Sequence, residues 1–527
     1  MKRFFTLQIY VAGTPGRREK MSMKRILSIL SFLFCLAVPV MGDTPELKAN
    51  PAAEQFVRTQ IRNGEPADLA DAFPKEIDRV LGSDFLYDLL TKSGNVPEIL
   101  RHGVRIAHAT FSEDVDLVNA EVPLDVQLTD CHFIGDVELS QSHFKKNVLL
   151  DRSQFDGILN FINGLVDGDL RMSSSKFINP AGEADFEGLR IGGVFDLHEA
   201  VFAGNAHFIR QEIGGDLDAR NTHFTNAQRE ISISFDSIKV NGYALFKGSE
   251  FLSSANFAYA RFAENFGAEG ARFGNPYYPN QAEIIFNSMK VGRNAFFHET
   301  IFNGWVDFAH ADIGGNFEAT QAQFNSPYNF TNFTGMKTDV ADFQRATFKN
   351  QYLLEAMSYR ELKADSPRAF VDGASYSPDA YVNLELFLKR QGMEGSANTI
   401  YIAQRRRERE GLNLPAKIGS FLLDWLVGYG RRPWLAFVWG AIFIALGWLV
   451  FRRRKDMEAQ KPEYENRPYS PFWYSLDVFL PFVDLQAAGV WMPRRNRRFA
   501  RTYVAIHTLL GWILIPIGLA AVSGLIK

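Results

Sequence analysis

The chain has 527 residues and a formal net charge of -3, with 46 Phe against 17 Tyr and 8 Trp. That length exceeds what one hydrophobic core serves, so several units are expected. Residues 101 to 357 hold 33 Asp and Glu against 20 Lys and Arg, and this acidic middle argues against a direct nucleic-acid grip, which needs clustered cations.

At the start of the chain, Lys24 and Arg25 precede an apolar run over 26 to 40, then Gly42 and Asp43. This is the layout of a secretory signal ending near residue 42, better begun at Met21 or Met23 than at Met1; an uncleaved anchor is the alternative. Cys35 falls inside that run, which leaves Cys131 as the mature protein's single thiol and excludes an internal disulfide framework. Residues 43 to 102 are expected to form a helical cap, with helices over 52 to 62, 68 to 73, 74 to 81 and 85 to 91 broken by Gly64, Pro66, Gly82 and Gly94.

From Gly103 the apolar period is neither 3.6 nor 2. Leu128, Leu139, Leu150, Phe161 and Met172 stand 11 apart, as do Phe133, Phe144, Phe155, Val166 and Phe177, offset by five. Later the same step links Phe224, Phe235, Phe246 and Phe257. A chain with one inward apolar residue every five or six positions turns a corner each time, and four such steps close a coil of about 20 to 22 residues. A 22-residue echo agrees: Ile191-Gly192-Gly193 leads to Phe202 and Ile213-Gly214-Gly215 to Phe224. Phe133, Phe144 and Phe155 are expected to stack in successive coils.

Two stretches, Ala255-Asn256-Phe257-Ala258-Tyr259 with Ala260-Arg261-Phe262-Ala263-Glu264, and Ala341-Asp342-Phe343-Gln344-Arg345 with Ala346-Thr347-Phe348-Lys349-Asn350, resemble the pentapeptide-repeat family. The resemblance implies a mainly β fold: a right-handed quadrilateral β-solenoid over 103 to 357, with a loop at 275 to 280, helical caps and a C-terminal two-helix transmembrane region. Phe85-Leu86-Tyr87-Asp88-Leu89-Leu90 followed by Gly103-Val104-Arg105-Ile106 is similar to the start of the repeats in bacterial membrane-associated proteins of pentapeptide type.

A helical hairpin is expected over 358 to 412, with Tyr381, Leu384, Phe387 and Leu388 on one face and Gly392 and Gly395 at the turn. Its run Arg405-Arg406-Arg407-Glu408-Arg409-Glu410 reads as a solvated face with internal ion pairs, or alternatively as a lipid contact. The membrane domain would occupy 413 to 527, with spans over 434 to 451 and 503 to 526 and an interfacial or dipping segment over 472 to 491. Arg452, Arg453, Arg454, Lys455, Arg494, Arg495, Arg497 and Arg498 lie between the spans and outweigh Lys417, Arg431 and Arg432 before them, which places that segment in the cytoplasm and the solenoid in the periplasm.

Val427-Gly428-Tyr429-Gly430 spells most of a potassium filter but precedes the first span, so it reads as a turn at the membrane surface. Gly428-Tyr429-Gly430-Arg431-Arg432-Pro433-Trp434 also resembles the approach to a two-helix ion-channel-like module, degenerate here because no Gly-Tyr-Gly lies between the spans. Asp477 and Asp484 stand at membrane depth or at its interface, where acids can mark ion paths. His132, His143, His207 and His223 each precede an inward position and should face out, with no ligand spacing for a metal. Asp167 and Asp169 are the one imaginable carboxylate pair of a sugar-cleaving β-helix. No residue set is assigned to catalysis, a cofactor or a metal. The expected function is an interaction or scaffold protein at the bacterial inner membrane, contacting lipids and a protein partner on the solenoid wall but no nucleic acid; a degenerate channel with a solenoid sensor and a β-helix enzyme are the alternatives.

Overall fold

The computed structural model describes residues 47–92, 97–226, 233–278, 281–326, 330–480 and 482–523; the signal-like segment lies outside them. From residue 104 onward each coil lays down four short strands, and each strand pairs in parallel with its equivalent one coil on. Wall 1 begins at Val104–Ala107, wall 2 at Thr110–Phe111, wall 3 at Val115–Asp116 and wall 4 at Glu121–Val122. Walls 2 and 3 are 11-stranded sheets, while walls 1 and 4 share a 22-stranded one, because Lys337–Asp342 and Ser358–Lys363 run straight through the corner between them. The result is a parallel β-solenoid of eleven coils, about 50 Å long at a strand spacing near 4.8 Å.

The 11-residue step is therefore half a coil. Phe155 pairs in register with Phe133 and Phe177 on wall 2, whereas Phe144 pairs with Val122 and Val166 on wall 4. All three rings are buried, but the expected single stack is corrected: Phe144 points inward from the opposite wall and meets Phe161 edge-on at 5.7 Å.

Wall 2 carries Phe at the inward position of every coil from Phe111 to Phe348. Successive rings stack at 4.5 to 5.3 Å with planes 1° to 18° apart. The rings of wall 3 interlock with this ladder edge-to-face, Phe208 lying 6.0 Å from Phe202 and 6.4 Å from Phe224. Wall 1 solves its packing differently. In its later coils large and small residues alternate, Ala244 with Phe246, then Phe266 with Ala268, then Ala295 with Phe297, so each ring sits beside a space left by the next coil's alanine, whereas earlier coils bury two large residues, as at Leu170 with Met172 and Phe195 with Leu197. These rings tilt 34° and 38° against one another rather than stacking flat.

Twice per coil the backbone turns through the left-handed region, as at His108, Asn119, Asp130, Gln141, Arg152 and Asn163. Each such L-residue costs on the order of 1 to 2 kcal/mol. Many acids serve the corners: Asp114 Oδ1 accepts the Asp136 amide at 2.9 Å, Asp136 Oδ1 accepts that of Ile158 at 2.7 Å, and Asp169 Oδ1 accepts that of Val194 at 2.8 Å. The wall acids are crowded. Burial, reinforced by the charge of Asp218, raises the Asp196 carboxyl above its usual range, and burial with Asp136 and Asp116 does the same to Glu138. Long coils all expand at one place, between walls 2 and 3, after Phe177, Phe224, Phe273 and Phe324.

Both raw ends are closed. Helices α1 (Pro51–Arg62), α2 (Leu69–Ala72), α3 (Ser83–Lys92) and α4 (Pro97–His102) cover the first coil. Ala67–Asp68 adds a strand to wall 1, and Thr110 exchanges backbone hydrogen bonds with Arg79 and Leu81. A helix over 74 to 81 does not form; this stretch has one 3-10 turn, Glu76–Asp78, because the exposed edge of wall 2 claims its backbone. At the far end α5 (Pro367–Gly373) sets Phe370 on Phe343 at 4.7 Å, and α6 (Pro378–Arg390) sends Asn383 Nδ2 to the Met357 carbonyl at 2.7 Å.

Gln211 breaks the pattern of the interior. It is fully buried between Leu189 and Ile238, and neither its amide nitrogen nor its oxygen has a partner among the described residues. Replacing it by Leu removes that desolvation cost, so Gln211→Leu should raise stability by about 1 to 3 kcal/mol in chemical denaturation. Phe155→Ala should lower it by about 3 to 5 kcal/mol. Because coils contact only their neighbours, limited proteolysis of that variant should cut first between about 130 and 180, and uniform cutting along the rod would contradict the ladder as a set of local units.

Candidate functional site

Each candidate histidine on the solenoid faces outward and meets an acid of a neighbouring coil. His132 Nε2 lies 2.8 Å from Asp156, His143 Nε2 3.0 Å from Asp167, His207 Nδ1 2.5 Å from Glu183 and His223 Nδ1 3.3 Å from Glu250. Glu183, Asp185 and His207 bring three possible ligand atoms within 4.8 Å of one another, a grouping that sequence spacing missed because it spans two coils. Three ligands fall short of a closed structural zinc site, and His207 Nδ1 faces the Glu183 carboxylate across the two coils. The carboxylate pair is split: Asp167 turns to His143 of the previous coil, and Asp169 accepts the Val194 amide of the next. Cys131 is buried among wall residues, and that burial pushes its thiol up to about 12.

The geometry concentrates instead where the solenoid cap meets the apolar C-terminal helices. Helix α7 (Glu394–Glu410) packs on α6 and carries the arginine run. These arginines are not a self-contained solvated face. Arg406 and Arg409 both reach Asp424, at 2.8 and 3.3 Å, on α8 (Leu414–Val427). Arg407 donates to Tyr381 Oη and the Asp372 carbonyl of the cap; of the run, Arg405 alone pairs within its own helix, with Glu408. Arg431 then ties the chain back to Glu385 on α6 at 3.0 Å.

Val427-Gly428-Tyr429-Gly430 is the C-terminal turn of α8. Gly428, Tyr429 and Gly430 are all left-handed, at φ 54°, 52° and 85°, and Tyr429 Oη hydrogen-bonds Ser420 at 2.8 Å. The turn leads through Pro433 into α9 (Trp434–Phe451). A second long apolar helix, α12 (Arg498–Val522), follows the connecting segment, and both are long and apolar enough to cross a membrane. The connecting segment is folded: Met457–Ala459 pairs antiparallel with Trp491–Pro493, Arg454 lies over the Trp491 ring at 3.8 Å, and Arg497 pairs with Asp456 at 2.8 Å.

Between the long helices sits α10 (Pro471–Phe479). Its Ser475 backs onto Gly447 of α9 and the Phe479 carbonyl onto Gly511 of α12, contacts so close that a Cβ at either glycine would collide. Ser475 Oγ donates to the Ile444 carbonyl at 2.8 Å, and buried His507 places Nε2 3.0 Å from the Ser475 carbonyl. Moving from Ser475 to Phe479 shifts the contact on α9 from Gly447 to Gly440, so α10 runs back into the bundle. Asp477 is buried, and its two oxygens accept the amides of Leu485 and Ala488 at 2.7 and 2.6 Å, pinning the returning chain and the short α11 (Ala487–Val490). Asp484 is exposed and accepts the Gln486 amide at 2.7 Å. Irregular backbone at such a place persists only when its polar groups are satisfied, and Asp477 is what satisfies it.

Comparison with known proteins found no matching family model, curated protein or solved structure, so the functional reading rests on the geometry.

Asp477→Ala should leave two amides without acceptors, a loss of about 1 to 3 kcal/mol for each. Hydrogen exchange over 482 to 490 should quicken while the solenoid stays protected; unchanged exchange would mean that Asp477 is not the clasp of this segment.

Proposed function

We propose that this protein is a membrane-anchored scaffold of pentapeptide-repeat type, whose acidic solenoid stands off the bacterial inner membrane in the periplasm and offers its walls to a protein partner. The observation that carries this reading is the joint. Arg406, Arg409 and Arg431 bind cap, α8 and the start of α9 into one body, so the eleven-coil rod continues without a flexible linker into two helices able to cross a bilayer. Solenoids bind through extended faces rather than pockets, and the excess of acids over 101 to 357, 33 Asp and Glu against 20 Lys and Arg, favours a partner with complementary positive charge. Such a rod needs no catalytic group, no cofactor and no nucleic acid.

The basic segment between the helices supports the orientation. Reporter fusions ending at Asn413 should read periplasmic and those ending at Glu463 cytoplasmic. A basic partner should be retained on the immobilised full-length protein at low salt and released as salt rises; failure to capture any protein from envelope extract would count against the scaffold.

One observation favours a second reading. Helix α10 re-enters between the two long helices, where a pore helix would lie in an ion-channel-like module. Against it stand the absence of a Gly-Tyr-Gly after α10 and the use of Val427-Gly428-Tyr429-Gly430 as a turn. The reverse reporter pattern, with potassium flux in reconstituted vesicles, would replace the scaffold by the channel.

A further inference from the structure

Helix α8 leaves a broad apolar face largely exposed. Leu414, Ile418, Phe421 and Trp425 follow one another at spacings of four, three and four, with Leu422 one turn from Ile418; the exposures of Leu414, Ile418, Phe421, Leu422 and Trp425 are 72%, 55%, 56%, 45% and 44%. On the other face Ser420 and Asp424 are committed to Tyr429 and to Arg406 and Arg409. The helix is deliberately ended: Asn413 Oδ1 accepts the Ala416 amide at 3.2 Å, and left-handed Gly428 closes it. Five large apolar side chains in water would be a steep cost for a helix so firmly held, so something apolar covers them.

We propose that α8 lies in the interfacial layer of the lipid bilayer, with that face among the acyl chains and its basic rim at the phosphates. The inference rests on the membrane-anchored reading and adds to it a second, surface-lying contact. Three observations select lipid over protein. The apolar face is continuous with the first long helix: Trp425 packs on Trp439 of α9 at 3.9 Å between ring centroids, and Trp439 Nε1 donates to the Trp425 carbonyl at 3.1 Å. Exposed Trp434 and Phe437 of α9 begin within one turn of it, an aromatic girdle of the kind found at headgroup depth. Finally, a groove of about 520 Å³ along α7 and α8 is lined by Arg406, Arg409 and Glu410 of α7 and by Lys417, Ile418, Phe421 and Leu422 of α8, a net cationic lining beside apolar side chains that suits the phosphate and hydrocarbon of a phospholipid. Because Asp424 clamps α8 to the cap, a flat α8 fixes the angle at which the rod leaves the membrane.

The test uses the full chain with Cys35→Ser, reconstituted in vesicles of phosphatidylcholine and phosphatidylglycerol. Buried Cys131 leaves a cysteine introduced at Phe421 or Ile418 on α8, or at Leu446 on α9, as the thiol that takes an environment-sensitive fluorophore; unlabelled parent chain checks this. Nitroxide lipids then quench from near the headgroup or from near the chain end. We expect both α8 labels to lose at least about half their emission to the shallow quencher and clearly less to the deep one, with the Leu446 label showing the reverse order. Labels on α8 that neither lipid quenches, while Leu446 responds, would overturn the interfacial helix and leave the anchor standing; blue-shifted but unquenched α8 labels would identify a protein cover instead. Stronger deep quenching on α8 would make it an inserted element and also refute the proposal. No quenching at any of the three sites would remove the anchor itself.

Discussion

A coil that hydrogen-bonds to the next has a rise of about 4.8 Å, and every interior side chain must fit a layer of that height. A phenyl ring lying flat on another fits it, which is why wall 2 carries Phe in all eleven coils at ring separations of 4.5 to 5.3 Å. The other walls adjust to this one. Wall 3 rings fill the remaining width edge-on, and the later coils of wall 1 alternate Ala with Phe so that neighbouring layers interlock. The corners then take what backbone conformation is left, including left-handed turns at residues as poorly suited to them as Arg152 and Glu199.

The same economy governs the junction with the two long apolar helices. One carboxylate, Asp424, receives two guanidiniums from α7, and Glu385 of the cap receives Arg431 and Lys389. Exposed ion pairs contribute little singly, but Asp424 and Glu385 are largely shielded and each binds two cations, which makes breaking either side costly. The rod and the apolar helices are thereby one mechanical body, and force on the solenoid wall reaches those helices.

Much of the fold was legible because the repeat is strict. Steps of five and six located the inward residues, and the apolar helix 434–451 was plain from its uncharged run. What the step could not say was which of four walls a residue belongs to; hence Phe144 was placed in the ladder of Phe133 and Phe155. Asn119, Asn163, Gly188 and Asn221 could have marked the left-handed corners, since they stand at or near multiples of 11 from one another and are the residue types that tolerate that conformation. The site was less legible. The arginine run looked self-sufficient because its partner, Asp424, sits on a helix whose polar face has only Lys417, Ser420 and Asp424, and an apolar run before a span hides such a helix. The role of Asp477 depends on backbone amides eight and eleven residues away, which side-chain patterns do not reveal.

The lengthened coils leave at a single edge, between walls 2 and 3, and they do so in every second coil from the one carrying Phe177 onward. The connections differ in length, from Phe177 to Glu183, Phe224 to Ile233, Phe273 to Glu283 and Phe324 to Thr331, so this edge accepts insertions of several sizes. The pattern also means that three edges are closed to variation in length while the fourth accepts it, so a lineage could change what this surface displays, in size or in chemistry, without disturbing a single layer of the interior.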